Sequence, residues 1–158
     1  PEFMRQAGEA GVQGLIVPDM PVEEADMVLD SCKKENMNVI FQVAPTTTDQ
    51  RLRKIIEVAE GFLYVINVEG VTGSRDAVNS DTLTLIQHVR EYTDLPLLAG
   101  FGVSTNEHAK ALIDAGANGV IAGSVYADIY TSFSDPFESL NRVALKVLNI
   151  KAGCRINF

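Results

Sequence analysis

Short apolar runs alternate along the chain with stretches whose apolar residues recur every three or four positions. The runs at 14–17, 39–43, 62–68, 97–99 and 119–122 are strand-sized. Between them the spacing predicts helices. Residues 22–36 carry Val22, Ala25, Leu29 and Cys32 at helical intervals, with Glu23 and Glu24 in the first turn, where the helix dipole favours carboxylates. After the turn and cap at Thr46-Thr47-Thr48-Asp49 come Leu52, Ile55, Ile56 and Ala59, closed by Gly61. Leu83, Ile86 and Val89 share a face in a helix over about 81–93. Ser104 and Thr105 cap a helix that places Ala109, Leu112 and Ile113 together and stops at Gly116. A short helix at 125–130 follows. The last helix opens at Asp135-Pro136, with Glu138 at capping-box spacing, and is expected to bury Phe137, Leu140, Ala144, Val147 and Leu148. At the other end, residues 4–10 read as a helix ending at Gly11.

Strand followed by helix, five times over, predicts an α/β fold with a parallel sheet, because parallel neighbours need a crossover and the crossover is usually a helix. Two architectures satisfy this pattern: a five-stranded flavodoxin-like domain and part of a (β/α)8 barrel. A whole barrel takes about 250 residues, and the chain has 158.

The ends of the strands carry the candidate chemistry. Gly100-Phe101-Gly102 follows one strand and Gly123-Ser124 the next, each opening a helix. Bare backbone at two successive strand ends presents N–H groups side by side, which is how a phosphate is held without a lysine. Gly70-Val71-Thr72-Gly73-Ser74-Arg75 makes a third glycine-rich turn, and 71–80 is expected to form a mobile lid.

Composition narrows the partners. With 46% hydrophobic residues the chain can bury a core, and residues 1–158 are expected to form a single domain. A formal net charge of −8 without a basic stripe speaks against nucleic acid. Two distant cysteines, Cys32 and Cys154, and no membrane-length apolar run suit a reduced, cytoplasmic protein that needs no membrane. No cluster has metal-ligand spacing, and neither a metal nor another cofactor is expected. His88 and His108 lie off the apolar stripes and read as solvated surface residues.

At Leu15-Ile16-Val17-Pro18-Asp19-Met20-Pro21-Val22-Glu23-Glu24 the chain resembles the alpha subunit of tryptophan synthase. The resemblance continues through Val43-Ala44-Pro45-Thr46-Thr47, Tyr64, Gly70-Val71-Thr72-Gly73, Gly100-Phe101-Gly102 and Gly123-Ser124. It implies a TIM-type (β/α)8 barrel, here a partial one whose strands match the fourth to eighth of the family. It implies the carbon–carbon lyase reaction of tryptophan biosynthesis, in which indole-3-glycerol phosphate is cleaved to indole and glyceraldehyde 3-phosphate. By position it assigns substrate phosphate to Gly73, Gly102, Gly123 and Ser124. Ile16, Tyr64, Thr72, Phe101 and Ile121 would line the indole pocket, with Tyr64 an accessory group near the reacting centre. Asn67-Val68-Glu69 departs from the small or basic residues that relatives often carry before the third turn.

Cleavage requires protonation of the indole ring carbon and removal of a hydroxyl proton. The family's glutamate and aspartate for these steps belong to its second strand and following loop, which this resemblance does not cover. Asp19, Glu23 and Glu24 sit in a proline-rich turn and at a helix start and do not replace them. The expectation is therefore a small phosphorylated substrate, no lyase activity from these residues alone, and self-association through strand edges at 14–17 and 119–122. A tryptophan synthase beta subunit is the expected partner of the full-length family member.

Overall fold

The computed structural model describes residues 2–66, 78–100 and 102–155. Helix α1 (Glu2–Glu9) precedes β1 (Gly14–Ile16), and α2 (Asp26–Lys34) leads to β2 (Asn38–Ile40) and β3 (Gln42–Val43). Then come α3 (Asp49–Val58), β4 (Leu63–Ile66), α4 (Ser80–Arg90), β5 (Leu97–Gly100), α5 (Asn106–Asp114), β6 (Gly119–Ile121), α6 (Ser124–Thr131) and α7 (Pro136–Gly153).

All the strand pairs are parallel, and the order is that of the chain: β1 beside β2, then β3, β4, β5 and β6 in turn. A flavodoxin-like sheet would place its second strand outside its first. Sequential order without a switch point is an arc of a barrel, and it decides between the two architectures.

The expected strand at 39–43 is divided. Asn38, Val39 and Ile40 pair with β1, whereas Gln42 and Val43 pair with β4, and the Phe41 carbonyl between them accepts from the Tyr64 amide at 3.0 Å. The chain thus changes partner at Phe41, the stagger that a tilted barrel strand requires. The first strand also stops at Ile16, one residue early.

Alternation along β4 and β5 separates two faces. Leu63, Val65, Leu97 and Ala99 are fully buried and belong to one apolar cluster with Leu52, Ile55, Ile86, Val89, Ala109 and Leu112 of the helices. Tyr64, Ile66 and Leu98 are half-buried on the opposite, concave side. On α4 the buried set is Thr82, Leu85, Ile86 and Val89, so Leu85 takes the inward place expected of Leu83, which is only half-buried.

Three helix expectations change in detail. Residues 22–36 do not form one helix: Val22–Glu24 is a 3₁₀ turn behind Pro21, and α2 begins only at Asp26, after the fully buried Ala25. The helix then closes on Asn36, in the left-handed conformation at φ 54°, with the Met37 amide returning to the Cys32 carbonyl at 2.9 Å. His108 is not solvated but 4% exposed, the third residue of α5 behind the Thr105 cap. His88 is half-exposed and paired, its Nε2 lying 2.9 Å from Asp49 Oδ1 of α3.

The largest departure is α7. Phe137, Leu140, Ala144, Val147 and Leu148, the expected buried stripe, are all exposed, Phe137 at 79%. The helix instead turns Ser139, Ile150 and Gly153 inward against its neighbours α5 and α6. Small residues let the backbones approach: a Cβ on Gly153 would collide with the Asn106 carbonyl. Hydrophobic spacing identifies an apolar face, but the neighbours present decide which face is covered.

Candidate functional site

The candidate site is built on the carboxyl ends of β5 and β6. These strands are in register, with Gly100 opposite Ile121, so the turns that leave them are neighbours. Gly102 has φ +69°, a conformation L side chains rarely adopt, and a methyl placed on it would meet nothing within 4 Å among the described residues. Gly123 caps α6 and likewise has open space where a side chain would be. Helix α6 starts at Ser124, and its first bond within the helix runs from the Tyr126 amide to the Gly123 carbonyl, 2.9 Å. The amides of Ser124 and Val125 precede that bond, as first-turn donors do. Gly102, Gly123 and Ser124 are therefore brought onto two adjacent turns, with space above both glycines.

Tyr64 and Ile121 meet around Gly100. A Cβ on Gly100 would lie 2.7 Å from the Tyr64 hydroxyl and ring and 3.1 Å from the Ile121 Cβ, so the phenol lies across the bare backbone of β5. Burial pushes the Tyr64 phenol above its ordinary value of 10.0, so it stays protonated at neutral pH and can donate a hydrogen bond. Ile16 stands apart, on the β1–β2 ladder, and is 43% exposed. Thr72, Gly73 and Phe101, together with Arg75, the 67–69 departure and residues 71–77 of the expected lid, lie outside the described residues.

A separate cavity of about 440 Å³ opens between the turn after β1 and the next strand, lined by Pro18, Met20, Ile40, Gln42, Thr47 and Ile66. Gly102, Gly123 and Ser124 do not line it. Among the described residues, no group of three or more His, Cys, Asp or Glu is placed to hold a metal ion, and no helix is long and apolar enough to cross a membrane.

Two features of this end escape a reading of residue types. Gly100 precedes the turn, and its missing side chain makes room for Tyr64; the signal was the first glycine of the Gly100/Gly102 pair, of which only Gly102 has the positive φ of the turn. His108 lies under the turn, its Nδ1 facing the Gly102 carbonyl at 3.2 Å and Ser104 at 3.3 Å. The signal for it was a polar residue three places after a Thr cap, where a side chain can reach back over the helix start.

Comparison with known proteins agrees with this architecture. Residues 1–155 match the family model described as tryptophan synthase alpha chain. The tryptophan synthase alpha chain of Methanosarcina barkeri is 46% identical over 98% of this chain and 57% of its own length. That of Methanocaldococcus jannaschii is 45% identical over 85% of this chain and 47% of its own. A chain of the Pyrococcus furiosus tryptophan synthase a2b2 complex superposes with a TM-score of 0.85 at 31% identity, covering 94% of this chain and 59% of that one. A structure of the tryptophan synthase A-subunit from the same organism gives 0.83 at 29% identity, covering 95% of this chain and 59% of that one. The chain spans about half the length of the curated relatives it matches. A parallel arc in sequential order, glycine turns at its carboxyl ends, and these matches over nearly all its residues place the chain in the tryptophan synthase alpha chain family, with the TIM-barrel fold.

Proposed function

We propose that these residues supply the substrate-holding part of a lyase that cleaves indole-3-glycerol phosphate to indole and glyceraldehyde 3-phosphate. Phosphate is held by backbone amides at Gly102, Gly123 and Ser124, joined by Gly73. The indole lies against Tyr64 and Ile121 on the concave face, with Tyr64 an accessory donor, and Ile16, Thr72 and Phe101 are assigned to the same pocket by their positions in the family pattern. The observation that carries this reading is the open space that the described residues leave over Gly102 and Gly123 on neighbouring turns, beside the first-turn amides of α6. The acid and base are assigned to residues outside the chain, and a beta subunit is the partner of the whole protein, as in the Pyrococcus furiosus complex.

Self-association belongs to the same proposal. In the described ladders β1 pairs only with β2, and β6 only with β5. The exposed apolar residues of α7 add a surface of the same character. Sedimentation at micromolar concentration is expected to show dimers or larger species; a single monomer would remove this part of the reading.

The decisive experiment is a titration of inorganic phosphate against the chain and its Gly102→Leu variant, with indole release measured in parallel. A β-carbon at positive φ costs about 1–2 kcal/mol and fills the open space, so phosphate affinity should fall roughly tenfold. Equal affinity in the two proteins would overturn the site. Indole release from this chain alone at a full-length relative's rate would overturn the placing of acid and base elsewhere.

A further inference from the structure

We propose that His108 is a positioning residue of the anion site, and that anion binding selects the ring form in which Nδ1 carries the proton; this rests on the phosphate reading of Gly102. The ring is buried and its Nδ1 has three neighbours: the Gly102 carbonyl at 3.2 Å, the Ser104 amide at 3.3 Å and the Ser104 hydroxyl at 3.3 Å. One nitrogen cannot serve both backbone groups. With a proton, Nδ1 donates to the Gly102 carbonyl; without one, it accepts from the Ser104 amide.

The two forms set the turn differently. A trans peptide directs its carbonyl and its N–H to opposite sides. When His108 holds the Gly102 carbonyl towards α5, the Val103 amide of that same peptide faces away from the helix, and the Ser104 amide is released. When Nδ1 accepts instead, the Ser104 amide is held beneath the turn and the Gly102 carbonyl loses its donor. Only the first form turns donors towards an anion. Lys146 of α7 secures the carbonyl two residues beyond that of Gly102, its Nζ donating to Ser104 O at 3.2 Å, so movement is concentrated in the peptides that His108 touches. The Thr105 hydroxyl accepts from the His108 amide at 3.2 Å and fixes the backbone from which the ring extends.

The chain has two histidines, so ring nitrogen NMR of the ¹⁵N-labelled protein resolves them readily. Addition of inorganic phosphate is expected to move the His108 Nδ1 resonance towards the protonated position while that of His88 stays in place. His108→Leu should weaken phosphate binding about tenfold, the equivalent of one buried hydrogen bond, and His108→Asn, which can still donate to the Gly102 carbonyl, should restore most of it. Phosphate that binds the unaltered chain without moving the His108 nitrogens, or that binds His108→Leu equally well, overturns the role of His108 and leaves the site standing. An unaltered chain that binds no phosphate overturns the site itself, and the inference with it. The resonance measurement needs no variant and decides the matter even if His108→Leu does not fold.

Discussion

The two ends of β5 and β6 are built on opposite plans. At their amino ends, side chains tie the strands down. The Arg90 guanidinium donates to the carbonyls of Thr93 at 3.1 Å, Leu95 at 3.0 Å and Gly116 at 3.0 Å, and to Asn118 Oδ1 at 2.6 Å. Asn118 Oδ1 also accepts from the Leu97 amide at 2.9 Å, and the Asn118 amide donates to the Leu97 carbonyl at 2.8 Å. At their carboxyl ends β5 finishes in Gly100 and β6 in Ile121, and the turns that follow carry Gly102 and Gly123, over which the described residues leave open space. One end spends its polar groups on the chain itself; the other runs into turns whose glycines carry no side chain. Parallel barrels in general keep stability at the amino rim and chemistry at the carboxyl rim.

The sharpest way to break the contrast is Arg90→Ala. It leaves three carbonyls and the Asn118 side chain without their charged donor, and each such loss costs about 1–3 kcal/mol where water cannot fully replace it. A fall of roughly 2–4 kcal/mol in unfolding free energy is expected from the urea midpoint. Phosphate affinity of the folded protein should not change. An unaltered midpoint would mean that the amino ends are not what fastens the sheet.

Gly100→Ala probes the other end and should cost less. Its methyl would lie 2.7 Å from the Tyr64 ring and hydroxyl, closer than side chains approach, so Tyr64 must move or the strands must part. Overpacking of this kind costs about 1–3 kcal/mol. Because the collision is with one side chain, a double-mutant cycle isolates it: Gly100→Ala combined with Tyr64→Val should be less destabilised than the sum of the two, by about 1 kcal/mol or more. Additive effects would show that Gly100 serves the turn alone and not the placement of Tyr64.

The same contrast explains what the sequence disclosed. Strand and helix existence, the Thr48, Thr105 and Asp135 caps and the glycine turns are local features, and each of the three cap side chains accepts a first-turn amide, though the Glu138 carboxylate pairs with Arg142 instead of closing the capping box on Asp135. So the turns at the carboxyl ends were legible, those of Gly102 and Gly123-Ser124 among them, because a turn of bare backbone is written in glycine. The amino-end latch was not. Arg90 and Asn118 are 28 residues apart and each is an ordinary surface type until the fold joins them. The burial of His108 was missed for a related reason: it lies beside the stripe of α5, and only the loop folded over it makes its position an interior one. The exposed face of α7 failed in the other direction. Its apolar spacing was plain, but spacing cannot name the neighbour, and α5 and α6 pack on the small residues Ser139 and Gly153 instead.

The smallest effect is expected where neither plan operates, at the link between α3 and α4. There Asp49 accepts from His88 at 2.9 Å and from the Tyr92 hydroxyl at 3.2 Å, in the open. The His88 hydrogen bond first, and the Tyr92 one after it, hold the Asp49 carboxyl below its ordinary value of 3.8. A carboxylate depressed in the folded state contributes stability that is complete above its unfolded value and disappears as pH falls through its folded one. Any contribution of this pair is therefore present at neutral pH and lost on acidification below about pH 4. Exposed pairs are screened and weak, so the urea midpoint of Asp49→Asn should nearly match that of the unaltered chain at pH 7. Between pH 5 and pH 3 the unaltered chain should lose stability slightly faster than the variant. Parallel acid limbs would show that the pair contributes nothing, and phosphate affinity should be indifferent in either case. An Asp49→Asn loss as large as that of Arg90→Ala would count against the comparison itself, because fastening would then be spread through the helix layer rather than concentrated at the amino rim.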